Sequence, residues 1–166
     1  DFADLALGRQ KPFDEILVTD WDNLMAVNLR GPFLCCRAAV PIMRKQNYGK
    51  IINVSSSTVF NGAQNFLHYV TSKGGILALT RSLSREVGGD GICVNTIAPG
   101  LTMSEAVAAD PMLGSDDRRL PNNQRRALKR DQQPEDLVGT VLYLASPESD
   151  FMTGQCLVVD GGAENH

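Results

Sequence analysis

Histidine, ligand-spaced cysteine and positive charge are all scarce in this chain, and each shortage closes a class of function. Two histidines, His68 and His166, and four cysteines without ligand spacing leave little from which to build a zinc or iron centre. Lysine and arginine number 16 against 19 acids, a net charge of −3, so no basic field draws in nucleic acid or an anionic membrane. No apolar run nears the ~18 residues a membrane span requires. The opening DFADLALGRQ carries acids and no apolar core, unlike a secretory leader. Cys35, Cys36, Cys93 and Cys156 lie in apolar runs and read as buried free thiols of a reducing compartment, so the expected location is cytoplasmic. The 166 residues, 43% hydrophobic and 21% charged, suffice for one domain, 1–166, with a real core.

What is present is a regular alternation. Asp20 to about Gln46 reads as a long helix capped by Thr19 or Asp20, with Trp21, Leu24, Met25, Asn28, Leu29, Leu34 and Cys36 at helical spacing. Gly31-Pro32 interrupts it, because proline removes a backbone hydrogen bond and bends the axis. Its second half, FLCCRAAVPIM, is apolar nearly all round, which predicts burial on more than one side. Trp21, Phe33 and Leu34 are expected in the core. GKIINVSS shows no alternation and predicts an interior parallel strand. A loop from Thr58 to Leu67 leads to a helix, His68 to Val87, facing inward through Ile76, Leu77, Leu79, Leu83 and Val87 and ended by Gly88-Gly89. His68 reads as a surface or substrate-loop residue. GICVNTIAP is a second buried strand, PEDLVGTVLYLAS a helix opened by Pro134, and GQCLVVDGG a third strand.

Leu101 to Gln133 is polar and proline-punctuated, a mobile excursion with one or two short helices. Its run DDRRLPNNQRRALKR reads as a solvated face, with arginines able to meet an acidic substrate. The alternation as a whole predicts an α/β fold built on a parallel sheet. In such sheets ligands bind beyond the carboxyl ends of the strands, here NVSSS, IAPGLT and VDGG.

One constellation stands at those ends. Tyr69 and Lys73 are one helical turn apart on a shared face, and Ser56 closes the preceding strand thirteen residues before Tyr69. A phenol with a pKa of about 10 is a poor base, but a neighbouring ammonium favours its ionised form. The pair therefore suits proton transfer at a carbonyl or alcohol oxygen, with a serine hydroxyl holding the same oxygen. Such proton transfer needs a partner event at carbon, and hydride transfer from a nicotinamide fits an α/β sheet. Taken singly, each residue has an ordinary explanation: a part-buried tyrosine beside a solvated lysine, hydroxyls at a strand end, Asn28 meeting a backbone group released by Pro32.

VNLRGPF, GKIINVSSS, YVTSKGG, VNTIAPGLTMSE, PEDLVGTVLYLAS and TGQCLVVDGG, in this order and spacing, resemble consecutive signature blocks of the short-chain dehydrogenase/reductase (SDR) family, from about Pro12 to Gly162. The resemblance implies a Rossmann-like parallel sheet with flanking helices. It implies an oxidoreductase that uses NAD or NADP to interconvert a secondary alcohol and a ketone, or to reduce a 3-oxoacyl carbonyl. On the family's pattern Tyr69 would be the acid/base, and Lys73 would lower its pKa and hold the nicotinamide ribose. Ser56 would position the substrate oxygen, and Asn28 would keep the bent helix and a relay water in place. Pro99, Gly100, Leu101, Thr102 and Ser104 would line the nicotinamide, and about 102–133 would form the substrate lid. The family also implies a homodimer or homotetramer formed through the two long helices.

The family's glycine-rich turn, where pyrophosphate meets a helix N-terminus, is not found among the fifteen glycines. VGGDGI follows a helix and precedes a strand, the reverse order. The expectation is therefore a partial domain truncated at its N-terminal half, with three recognisable strands and an open sheet edge. The rival expectation is a non-catalytic α/β module, an oligomerisation or scaffold remnant that kept the site residues by descent and holds no cofactor. A serine hydrolase is set aside for want of a GxSxG elbow.

Overall fold

The computed structural model describes residues 10–164; the first nine residues of the opening stretch and His166 lie outside them. A long helical rod comes first: α1 (Val18–Met25), a wider π turn at Ala26–Arg30, and α2 (Gly31–Gln46). Pro32 has no N–H to give to the Asn28 carbonyl four residues back. The ladder beside it steps out to wider bonds, with the Gly31 N–H reaching the Ala26 carbonyl. The rod begins at Val18, and Leu17 caps it without a side-chain bond, so neither Thr19 nor Asp20 is the cap. Asn47, at φ +50°, ends the rod in the left-handed conformation that asparagine tolerates.

β1 (Gly49–Val54) follows, then a short helix α3 (Thr58–Asn61) inside the expected loop, and α4 (Leu67–Val87). α4 leads to β2 (Ile92–Pro99), which β1 joins in parallel from Gly49 opposite Ile92 to Val54 opposite Ile97. Two short helices, α5 (Glu105–Ala109) and α6 (Asp116–Arg125), occupy the polar excursion. α7 (Glu135–Ala145) precedes β3 (Cys156–Val159), which pairs in parallel with Thr96 to Pro99 of β2. The sheet order is β1-β2-β3, so β2 is central.

Two apolar clusters hold this together. Val40, Val87, Ile92 and Val94 pack with Met43, Ile51 and Leu83 under the sheet's amino ends. Leu24, Phe66 and Tyr69 pack with Ala63 and Val70 at the opposite end of α4. Each fully buried aliphatic or aromatic side chain contributes about 1.5–3 kcal/mol. A polar seam is also buried: Asn53 Nδ2 donates to Thr80 Oγ1 at 2.9 Å, and Thr96 Oγ1 donates to the same oxygen at 2.7 Å. Satisfied buried hydrogen bonds of this kind fix how α4 sits across β1 and β2.

Several expectations fail within the single chain. β1 has a strand partner on one side only among the described residues, so it is an edge and not an interior strand. Only Cys36 and Val40 of α2 are buried, whereas Phe33, Leu34 and Ile42 are 48%, 47% and 61% exposed. The all-round apolar character therefore leaves an uncovered face, and Phe33 and Leu34 are not core. Trp21 is half-buried. Of the four thiols Cys36 alone is buried, Cys35 is exposed, and Cys93 and Cys156 are half-buried. His68 is not a surface residue: it lies on the same stripe of α4 as Tyr69, Ser72 and Ile76 and is 2% exposed. Leu79 and Leu83 of that helix are only half-buried, while Thr80 and Ser84 take the inward positions.

Candidate active site

The carboxyl ends of β1 and β2 open into a cleft of about 1030 Å³. Its floor is Ser56, Tyr69 and the Pro99–Thr102 turn, and α6 with the segment after it forms the roof. Backbone bonds carry the sheet past its strands into this floor: Ser55 N–H donates to the Ile97 carbonyl at 2.8 Å and Ser57 N–H to the Pro99 carbonyl at 2.9 Å. Ser55 Oγ donates to the Lys73 carbonyl at 2.8 Å, tying the strand end to the second turn of α4. That bond is why Ser56 and Tyr69, thirteen positions apart, face one another.

Ser56 Oγ accepts from Thr58 Oγ1 at 2.9 Å and from the Thr58 N–H at 3.3 Å. Its hydroxyl also reaches the Tyr69 phenol. Burial, the larger effect, pushes the Tyr69 pKa up, and this hydrogen bond from Ser56 pulls it back. Tyr69 is consequently protonated at neutral pH. Lys73 Nζ lies over the Tyr69 ring, 5.8 Å from its centroid, and donates to the Val54 carbonyl at 3.2 Å. Burial pushes the Lys73 pKa down. Asn28 sits beneath the site: its Nδ2 donates to Ser72 Oγ at 3.2 Å, and Ser72 Oγ donates to the Tyr69 carbonyl at 2.7 Å. Ser56 and Tyr69 thus border the cleft, while Lys73 stands behind the phenol and Asn28 braces its helical turn.

Pro99, Gly100, Leu101, Thr102 and Ser104 all border the cleft. A Cβ at Gly100 would stand 2.9 Å from Gln132 Oε1 and 3.0 Å from the Asp160 Cβ, so the turn passes there only as glycine. Thr102 bridges to Gln132, and Ser104 caps α5 by accepting from the Val107 N–H at 3.3 Å. These hydroxyls, a backbone stripped of side chain and the Lys73 ammonium suit the amide and ribose of a nicotinamide.

The roof departs furthest from expectation. Arg126, read as part of a solvated face, is 2% exposed. It donates to the carbonyls of Leu101, Arg130 and Asp160 at 2.6, 3.0 and 3.2 Å and to Asn123 Oδ1 at 2.9 Å. Asp160 accepts from the N–H groups of Gly162, Ala163 and Glu164, and the Glu164 carboxylate then receives Arg125 and Asn61. Aspartate before Gly-Gly signals such a turn. Nothing in the sequence separates Arg126 from its neighbours. No group of three metal-ligating side chains occurs among the described residues, and no helix there is long and apolar enough to cross a membrane.

Fold and site together define a Rossmann-like parallel α/β protein with a tyrosine, serine and lysine at its strand ends. Residues 2–164 match the family described as Enoyl-(Acyl carrier protein) reductase. The chain is 36% identical over 143 residues to a 3-oxoacyl-(acyl-carrier-protein) reductase of Staphylococcus epidermidis, covering 86% of this chain and 57% of that protein. It is 37% identical over 156 residues to the short-chain reductase protein NovJ of Streptomyces niveus, covering 90% and 59%. The crystal structure of a gluconate 5-dehydrogenase from Burkholderia cenocepacia, in complex with NADP and tartrate, matches with a TM-score of 0.86 at 33% identity, covering 93% of this chain and 60% of that one. The chain belongs to the short-chain dehydrogenase/reductase family. It spans less than two thirds of these relatives' length.

Proposed function

We propose that this protein is an NAD- or NADP-dependent oxidoreductase that interconverts a secondary alcohol and a ketone, or reduces a 3-oxoacyl carbonyl. The observation that carries the reading is that Ser56 and Tyr69 border one cleft at the open end of the sheet, with Lys73 over the phenol ring. Tyr69, protonated at neutral pH, gives its proton to the carbonyl oxygen in reduction and takes one back in oxidation. Ser56 donates to that oxygen as its charge develops. Lys73 holds the nicotinamide ribose and favours the phenolate once the proton has left. Asn28 steadies the Tyr69 turn through Ser72. Pro99, Gly100, Leu101, Thr102 and Ser104 border the nicotinamide, which supplies the hydride, and 102–133 is the substrate lid. The named activities of the relatives and the NADP in one of them support this reading.

The chain acts as one partial Rossmann-type domain, 1–166, in the cytoplasm. Its uncovered face at Phe33, Leu34 and Ile42 pairs with a second copy in a homodimer or homotetramer. A monomer by light scattering at micromolar concentration removes that assignment. A second reading, a non-catalytic scaffold, draws on the same uncovered face and the open β1 edge. The deciding experiment follows nicotinamide fluorescence during titration with NADH and NADPH, then tests ketone reduction. Binding with turnover discards the scaffold; no binding at millimolar cofactor discards the oxidoreductase.

A further inference from the structure

The lid holds five arginines, and four are already engaged. Arg119 pairs with Asp116 and Asp131, Arg125 with Glu164, and Arg130 with Asp136, while Arg126 is spent on carbonyls and Asn123. Arg118 is the exception. Among the described residues nothing accepts a hydrogen bond from its guanidinium, and its Nε is buried without a partner. Asp117 also borders the cleft but forms no ion pair with it.

The placement of Arg118 is fixed all the same. Its guanidinium carbon lies 5.9 Å from the Phe66 ring centroid. Phe66 in turn meets the Tyr69 ring edge-on, with centroids 5.6 Å apart and planes at 83°. Arg118 is therefore held one ring away from the reacting phenol, on the cleft wall. Stacking over an aromatic face orients a guanidinium but offers it no acceptor. A guanidinium that borders the cleft with no acceptor from the described residues is ready for a ligand that supplies one. The planar fork of arginine matches the two oxygens of a carboxylate.

We propose that Arg118 is the carboxylate-binding residue of this cleft. The substrate class is a small hydroxy acid or oxo acid whose alcohol or carbonyl carbon lies at Ser56 and Tyr69. The assignment rests on the oxidoreductase reading for the reaction, but the binding of the acid does not.

The test uses short linear oxo acids and their methyl esters, which differ in charge at one end only. Calorimetric titration without cofactor gives the affinity of each, and NADPH-dependent reduction gives kcat/KM for the same pairs. The acids bind at least about tenfold better than their esters, and Arg118→Met lowers the acid-to-ester ratio in both measurements by about 10–100-fold, mainly through KM. Arg118→Lys keeps the charge without the fork and falls between. An acid-to-ester ratio unmoved by Arg118→Met overturns the assignment, as does failure of the protein to bind either ligand. Weakened NADPH binding with the acid preference intact also overturns it, by moving Arg118 to a cofactor phosphate. An Arg118-dependent preference for acids without any turnover supports the carboxylate site and removes the oxidoreductase reading instead.

Discussion

The floor and the roof of the cleft are held by different physics. The floor is held without ion pairs: Ser56, Tyr69 and Ser72 are placed by hydrogen bonds between uncharged groups and by packing against Leu24 and Phe66. The roof is ionic, joined to itself through Arg119–Asp131, to α7 through Arg130–Asp136 and to the strand ends through Arg126 and Arg125–Glu164. Burial in the floor pushes Tyr69 up and Lys73 down, whereas pairing in the roof holds Asp131 and Asp136 below the usual carboxylate range. A cleft so divided joins a floor set by packing and uncharged contacts to a roof that responds to charge and pH.

The largest effect comes from the floor. Tyr69→Phe keeps the ring, its edge-on contact with Phe66 and the core cluster, and loses the phenol oxygen with its Ser56 contact. Ketone reduction is expected to fall by about 10²–10⁴-fold with little change in melting temperature. Retained turnover would remove Tyr69 from the chemistry and leave the floor a structural feature. A coincident loss of thermal stability would blur the division between the two halves.

Next comes the anchor of the roof. Arg126→Ala leaves the Leu101 and Asp160 carbonyls inside the protein without a donor, at a cost of about 3 kcal/mol. The expected outcome is a melting temperature lower by several degrees and faster proteolysis within 102–133. Arg126→Lys does not rescue it, because one ammonium cannot reach four acceptors in the plane of a guanidinium. Wild-type stability in the alanine variant would make the roof independent of this residue.

That contrast also explains what was legible in the chain. The floor was readable because each part has a local signature: a strand ending in hydroxyls, a phenol and an ammonium one turn apart, a proline two residues behind an interrupted ladder. The strands and long helices followed from apolar patterning in the same way. The roof was not readable, since which arginine is buried depends on carbonyls supplied by segments 25 and 34 residues distant. His68 misled for a related reason: a helix stripe that includes Tyr69 and Ser72 also buries the polar ring of His68 at its start. Phe33 and Leu34 show the converse, apolar residues left about half exposed among the described residues.

Acid separates the halves with a smaller effect. A carboxylate whose pKa is depressed by folding stabilises the folded form above its ordinary value, 3.8 for aspartate, and that contribution fades as pH falls through the depressed value. Asp131 and Asp136 both shift this way, each through an arginine first. Hydrogen exchange in α6 is therefore expected to accelerate below about pH 4, while β2 keeps its protection until global unfolding. Simultaneous loss of protection in α6 and β2 would show the two halves to be one cooperative unit.

Salt produces the smallest effect and sharpens the point. The Debye length shrinks to about 3 Å at 1 M salt, so exposed pairs lose most of their attraction. Arg130 grips Asp136 with two nitrogens, at 2.6 and 2.7 Å, but Asp136 also accepts the Gln133 N–H at 2.8 Å as the chain enters α7. Screening weakens the first contact and leaves the second, so the start of α7 stays in place while the segment before it loosens. High salt is thus expected to raise exchange around Lys129 to Asp131 without altering α7 or the Tyr69 turn. Equal loosening on both sides of Asp136 would mean that the ion pair, and not the backbone cap, sets where α7 begins.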